Sequence, residues 1–137
     1  MAMVFQLNLS SEIPIYLQLR NQIVKGIASG DLKRGESLPT VRQMASDAGI
    51  NAMTVNKAYQ ILKCEGYIEI DRRRGAAVKA DLDMDREFRD RLSSELELTC
   101  AQAQAKGLPR EEFLELCSRI FDQFSRTSKD EAPTKEE

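Results

Sequence analysis

The chain has 137 residues, which leaves room for one ordinary domain and a short extension but not for two domains with separate cores. Hydrophobic residues make up 42% and charged residues 31%, a balance typical of folded proteins. Histidine is absent, so the usual base of nucleophilic catalysis and the commonest transition-metal ligand are both missing. No Gly-rich phosphate loop is found. We therefore expect no enzymatic activity, no bound metal and no cofactor.

Export and membrane signals are also missing from the sequence. It has no run of about 18 apolar residues, and its first residues lack the basic and then apolar regions of a signal peptide. The three cysteines, Cys64, Cys100 and Cys117, lie far apart and form no CxxC pair. We expect a cytoplasmic protein without a membrane partner, in which the cysteines are buried or half-buried thiols.

The charges are unevenly distributed along the chain. The net charge is −2, but residues 1–80 hold eleven Lys and Arg against seven Asp and Glu, whereas residues 81–137 hold nine against fifteen. The first part is therefore basic and the second part acidic. This asymmetry predicts that residues 1–80 meet phosphate groups and that the rest of the chain does not.

Two periodicities mark the N-terminal segment. Alternating apolar and polar residues over residues 5–9 predict a short extended strand. From Pro14 to Gly30 apolar residues recur every four positions, which predicts a first helix. The polar residues of this helix, among them Gln18 and Arg20, fall on other faces and are expected to be solvated.

The next part of the chain has the pattern of a helix-turn-helix. Thr40 and Gln43 form a capping box that starts a second helix, and Gly49 ends it. Asn51 caps a third helix. The apolar stripe of this third helix consists of Val55, Ala58, Tyr59 and Leu62. In a helix-turn-helix the later helix enters the major groove of DNA.

A basic hairpin is predicted directly after the third helix. Residues 67–71 alternate like a strand, residues 72–75 read as a tight turn with three arginines, and residues 76–79 return as a second strand. Two strands with a basic tip at this place indicate a wing. Its arginines can enter a minor groove or clamp phosphates.

The acidic part of the chain contains two further predicted helices. The fourth spans about residues 83–106, and the fifth begins near Pro109. Their apolar faces need another surface, because about 45 residues cannot form an independent domain. We expect pairing with a second copy, and the alternative is that the helices fold back on their own winged domain. The expected dimerisation residues are Met84, Phe88, Leu92, Leu96, Phe113, Leu116, Ile120, Phe121 and Phe124.

These elements predict an α+β fold that is mostly α. A winged helix-turn-helix domain occupies residues 1–80, a two-helix C-terminal dimerisation segment follows in residues 81–127, and a frayed or disordered tail takes residues 128–137.

Residues off the apolar stripe of the third helix are candidate base contacts. Asn56 can pair with adenine, Thr54 can form a hydrogen bond or touch a thymine methyl group, Met53 offers an apolar contact, and Lys57 suits a guanine edge or a phosphate. Asn51 is at least as well suited to capping as to base contact.

Several segments of the chain resemble the GntR family of bacterial regulators, and its short YtrA-like branch in particular. The resemblance covers about seventy residues. It is carried by Pro14-Ile15-Tyr16-Leu17-Gln18, the segment from Gly30-Asp31-Leu32 to Gly35-Glu36-Ser37-Leu38-Pro39-Thr40-Val41-Arg42, Asn51-Ala52-Met53-Thr54-Val55-Asn56-Lys57-Ala58-Tyr59, Leu62, Glu65-Gly66-Tyr67-Ile68 and Gly75. The C-terminal part is too short for the effector-binding or aminotransferase-like domains of the larger family, which points to the short branch.

The resemblance implies a sequence-specific DNA-binding transcriptional regulator that contacts DNA through Arg42, Asn51 to Thr54, Asn56 and the wing tip. The short branch typically represses ABC-transporter operons, often its own. The expected partners are a double-stranded operator with an inverted repeat and a second copy of the chain. With the residue-level candidates added, the DNA-binding set is Thr40, Arg42, Asn51, Ala52, Met53, Thr54, Asn56, Lys57, Arg72, Arg73, Arg74 and Gly75.

Two other interpretations stay open. A winged-helix module can bind another protein through its third helix, and fold alone does not exclude this. A small-molecule effector of unidentified chemistry could sit in a groove between the winged domain and the C-terminal helices, lined by Tyr16, Phe88 and Phe113.

Overall fold

The computed structural model describes residues 5–73 and 75–131, with side chains up to Phe124. This part of the chain forms a winged helix-turn-helix followed by two long helices, which confirms the predicted fold class. In chain order its elements are α1 Ile15–Ser29, α2 Val41–Ala48, α3 Ala52–Cys64, β1 Ile68–Asp71, β2 Gly75–Val78, α4 Arg86–Ala105 and α5 Arg110–Glu131.

Two glutamines of α1 hold the segment that precedes it. The N–H of Gln6 donates to Gln22 Oε1 at 3.0 Å, and the Gln22 amide donates back to the Gln6 carbonyl. Gln18 binds the N–H and the carbonyl of Asn8 in the same way, at 2.8 and 2.9 Å. The predicted strand is therefore wrong, because this segment pairs with side chains instead of a second strand. The prediction that Gln18 is solvated is wrong for the same reason.

Side-chain caps begin both helices of the helix-turn-helix. The Thr40 hydroxyl accepts from the N–H of Gln43 at 3.0 Å. The reciprocal bond of the predicted capping box, from the Thr40 N–H to Gln43 Oε1, is not found between these described residues. The Gln43 side-chain amide instead donates to Asp47 Oδ1 at 2.9 Å, one turn further along the helix. Asn51 Oδ1 accepts from the N–H of Met53 at 2.6 Å, which confirms the predicted cap of α3.

The wing is built into the domain on one side. β1 and β2 pair antiparallel, with Ile68 opposite Val78. The loop before α2 adds a third short row of backbone hydrogen bonds, in which the N–H of Leu38 donates to the Ala76 carbonyl at 2.8 Å and the N–H of Val78 donates to the Glu36 carbonyl at 2.9 Å. The hairpin is therefore attached to the chain that leads into α2.

The core lies between α1, α2, α3 and the hairpin. Its buried apolar residues are Leu19, Ile23, Leu32, Leu38, Met44, Ala45, Val55, Ala58, Tyr59, Leu62, Ile68, Ala76 and Val78. Two polar contacts support it: the Tyr59 hydroxyl donates to the Pro39 carbonyl at 2.8 Å, and Arg20 pairs with Glu65 at 2.7 Å. Arg20 also lies 5.5 Å from the centroid of the Tyr67 ring, so the prediction that Arg20 is solvated is wrong.

The two C-terminal helices differ in how they meet the winged domain. α5 lies against α1, so the alternative of folding back on the winged domain holds for this helix. All residues of α4 are exposed apart from the half-buried Phe88 and Ala103. α5 continues to Glu131, past residue 127, where the sequence predicts a tail, and residues 132–137 lie outside the described part. Among the described helices none is long and apolar enough to cross a membrane.

All three cysteines are exposed, so the prediction of buried or half-buried thiols is wrong. Cys64 falls on the face of α3 that points away from its buried stripe. Cys100 and Cys117 belong to α4 and α5, at positions that do not reach the core.

Truncating the same residue type at a buried and at an exposed position tests the core. Leu62 is 0% exposed and Leu98 is 63% exposed. We expect Leu62→Ala to lower the free energy of unfolding by about 2–5 kcal/mol and Leu98→Ala by less than about 0.5 kcal/mol. Urea denaturation followed by circular dichroism at one protein concentration measures both. Equal losses would contradict the assignment of Leu62 to the core.

Burial raises the pKa of the Tyr59 hydroxyl above its ordinary value. The unfolded chain ionises this tyrosine near pH 10 and the folded chain does not, so the free energy of unfolding should fall as the pH rises above about 10. Tyr59→Phe should cost about 1 kcal/mol at neutral pH, through the lost hydrogen bond to Pro39, and should reduce the alkaline loss. Denaturation curves across this pH range test it, and an equally steep alkaline loss in the variant would count against it.

Candidate nucleic-acid interface

α3 presents a continuous exposed face opposite its buried stripe. The exposed residues of its first two and a half turns are Ala52, Met53, Asn56, Lys57 and Gln60. Met53 is 79% exposed. Thr54 is half-buried, and Asn51 uses its side-chain oxygen to cap the helix. Of the candidates on this helix, the structure therefore leaves Ala52, Met53, Asn56 and Lys57 exposed.

α2 packs against α3, and two further candidate DNA contacts lie at the start of α2. Thr40 is exposed, but its hydroxyl already accepts the hydrogen bond that caps α2. Arg42 is exposed in the first turn of α2, and no carboxylate among the described residues pairs with it. Its guanidinium is thus free to bind a phosphate or a guanine edge.

Lys57 has a partner that the sequence did not indicate. Its Nζ lies 4.2 Å from the centroid of the Tyr16 ring, within the range of a cation–π contact. Tyr16 belongs to α1 and Lys57 to α3, two helices that pack together. The contact directs the ammonium group and limits its rotamers. No periodicity could reveal it, because it joins two helices that are far apart along the chain.

The described part of the wing tip is a basic turn. Asp71 Oδ1 accepts from the backbone N–H of Arg73 at 2.9 Å, and both Arg72 and Arg73 are exposed. Gly75 has a φ of 80°, a left-handed conformation that favours glycine. Arg74 lies outside the described residues. Two exposed guanidinium groups therefore stand at the end of the hairpin.

Two aromatic residues of the predicted effector groove line separate cavities in the described part of the chain. Phe88 lines a cavity of about 290 Å³ beside Tyr67 and Leu82, where the wing domain leads into α4. Phe113 lines another of about 470 Å³, between the end of α4 and the start of α5. Tyr16 lines neither of these two cavities, and the effector groove stays a prediction.

Comparison with known proteins agrees with this geometry. The family model "Bacterial regulatory proteins, gntR family" matches residues 15–78. Over 106 residues the chain is 34% identical to the HTH-type transcriptional regulator YhcF of Bacillus subtilis, covering 77% of this chain and 88% of YhcF. The chain belongs to the gntR family. The transcriptional repressor YtrA of Bacillus subtilis is 39% identical over 75 residues, which are 55% of this chain and 58% of that repressor.

Solved structures place this gntR-family protein in the short YtrA-like branch. YtrA from Sulfolobus acidocaldarius, a GntR-family transcription factor, matches with a TM-score of 0.62 and 37% identity over 72% of this chain and 99% of that one. A transcriptional antiterminator from Listeria monocytogenes matches with a TM-score of 0.79 and 28% identity over 86% and 90%. The chain is therefore a transcriptional regulator with a DNA-binding helix-turn-helix, and its relatives are regulators and not enzymes.

Charge removal at the α2 and wing positions tests the interface. We expect Arg42→Ala and Arg73→Ala each to weaken DNA binding by about 1–3 kcal/mol. Each phosphate contact that is lost should also reduce the slope of log K against log salt by about one.

Arg86→Ala is the matched control, because Arg86 is exposed at the first residue of α4, away from the face of Phe88 and Leu92, and its removal changes the net charge equally. It should leave both affinity and slope unchanged. Equal effects of all three variants in fluorescence anisotropy at several salt concentrations would show that only the overall charge matters.

Proposed function

We propose that this protein is a dimeric cytoplasmic repressor that binds an inverted-repeat operator and controls its own operon or an operon for an ABC transporter. The observation that carries the proposal is the exposed face of α3, flanked by Arg42 and by the basic wing tip, in a chain of the gntR family. The repressor assignment draws on the similarity to YtrA of Bacillus subtilis, which is a transcriptional repressor.

The proposed DNA contacts divide by chemistry. Arg42, Arg72 and Arg73 would hold the backbone or enter a groove, since guanidinium groups bind phosphates strongly. Met53 and Asn56 would face base edges from the first turns of α3. Thr40 and Asn51 act in the first place as helix caps. Their replacement would disturb the position of the reading helices more than it would remove a base contact.

The proposed dimer interface lies on α4 and α5. Several apolar side chains of these helices are exposed in the single chain: Met84 53%, Leu92 38%, Leu96 45%, Leu116 41%, Ile120 46% and Phe121 74%, whereas Phe88, Phe113 and Phe124 are half-buried. An exposed apolar surface of this extent marks an interaction site. A second copy fits it best, because two-fold pairing would present two α3 helices to the half-sites of an inverted repeat.

The function is tested by gel-shift binding of the full chain to the DNA upstream of its own gene, with unrelated DNA as competitor. Binding that resists competitor, with footprint protection of an inverted repeat, would support the proposal. If that DNA fails, selection from a random duplex library extends the test to any operator. Failure on every DNA would contradict the proposal and favour a protein partner for α3.

Matched charge insertions on two faces of α4 test the dimer. Leu96 shares a face with Phe88 and Leu92, whereas Leu98 lies on the other side of the helix. We expect Leu96→Glu to give monomers and to lower operator affinity at least tenfold, because a desolvated carboxylate would oppose pairing. Leu98→Glu should change neither. Sedimentation equilibrium measures the mass of each variant, and an unchanged mass for Leu96→Glu would reject this interface.

A further inference from the structure

An apolar side chain stands at the centre of the face that α3 presents to DNA. Met53 is 79% exposed and occupies the first turn of the helix, pointing away from the stripe of Val55, Ala58 and Leu62. Single exposed apolar residues are common on protein surfaces. This one is distinctive because the first turn of a reading helix is the part that reaches base edges.

The position of Met53 is fixed while its side chain is free. Its backbone N–H donates to Asn51 Oδ1 at 2.6 Å, so the Cα is anchored at the start of α3. The unbranched thioether chain has three rotatable bonds and adapts to an irregular surface. The neighbouring Ala52 is exposed and small, and it leaves the methionine unobstructed on that side.

The chemistry of the major groove selects the partner of such a side chain. Every base edge there offers hydrogen-bond donors or acceptors, and thymine alone adds an apolar group, its C5-methyl. A thioether placed against a donor or acceptor would strip its water without replacing the hydrogen bond. Placed against a methyl group, it would remove apolar surface from water at no such cost.

We propose that Met53 is a specificity-determining residue that reads a thymine methyl group in each half-site of the operator. The inference rests on the proposed function, since it assigns a base to a helix that is proposed to read DNA. Part of the specificity for the operator sequence then comes from one apolar contact, in addition to the hydrogen bonds that Asn56 offers.

The test replaces thymine by uracil, which removes the methyl group and leaves the Watson–Crick edge intact. The full chain first selects its sites from a random duplex library, and a selected duplex is then resynthesised with uracil at one thymine position at a time. At one position per half-site we expect about a three- to fivefold loss of affinity, the effect of one buried methyl-sized group. Uracil in both half-sites should multiply the losses to about 9- to 25-fold.

Variants of Met53 show whether this methionine is the reader. Met53→Ala should bind the thymine duplex more weakly and should no longer distinguish thymine from uracil at that position. Met53→Leu should keep the discrimination. Leu9→Ala is the control, because Leu9 is also 79% exposed but precedes α1, and the variant should discriminate as the unchanged protein does.

The outcomes separate this inference from the proposed function. If a defined site is selected but no thymine is sensitive to uracil, or if Met53→Ala keeps the discrimination, the role of Met53 is overturned and operator binding stands. If no sequence is selected, both fail together. Loss of discrimination in Met53→Ala alone, with Met53→Leu and Leu9→Ala unaffected, would support the proposal.

Discussion

The burial of one stripe of α3 constrains every other part of the DNA-reading surface. Val55, Ala58 and Leu62 are fully enclosed by the core, and Tyr59 adds a hydrogen bond to the carbonyl of Pro39, just before α2. At the other end of the helix, the pair between Arg20 and Glu65 ties the chain after α3 to α1. These contacts set both the rotation and the axial position of α3. The opposite face is therefore held in one orientation before DNA arrives, which lowers the entropic cost of binding.

The wing depends on the same core. A two-stranded hairpin is at best marginally stable alone, but here β2 pairs with β1 on one side and with the loop before α2 on the other. The alternate residues Ala76 and Val78 point into the core. The arginines at the tip are consequently held at a set distance from Arg42, which follows that same loop. Guanidinium groups on separate elements can then act together on one stretch of DNA backbone.

α1 joins the reading part of the molecule to its C-terminal helices. It packs against α3 on one side and against α5 on another, and its Tyr16 lies under Lys57 of the reading helix. A change in how α5 meets α1 therefore has a short physical route to the DNA-facing surface. The charge distribution favours one orientation of the protein relative to DNA, since residues 1–80 are basic and residues 81–137 are acidic. DNA attracts the first part and repels the second.

The sequence by itself determined the order of the elements, the buried stripe of α3, the wing and the membership of the gntR family. Each of these depends on local periodicity, capping residues or contiguous motifs. Tertiary structure decided what joins distant residues. It showed Gln18 and Gln22 in place of a strand partner for the N-terminal segment, Tyr16 beneath Lys57, and α5 against α1. It also placed the three cysteines at the surface. Hydrophobic periodicity reports which face of a helix is buried, but the identity of the side chain across from a given residue depends on how the helices pack together.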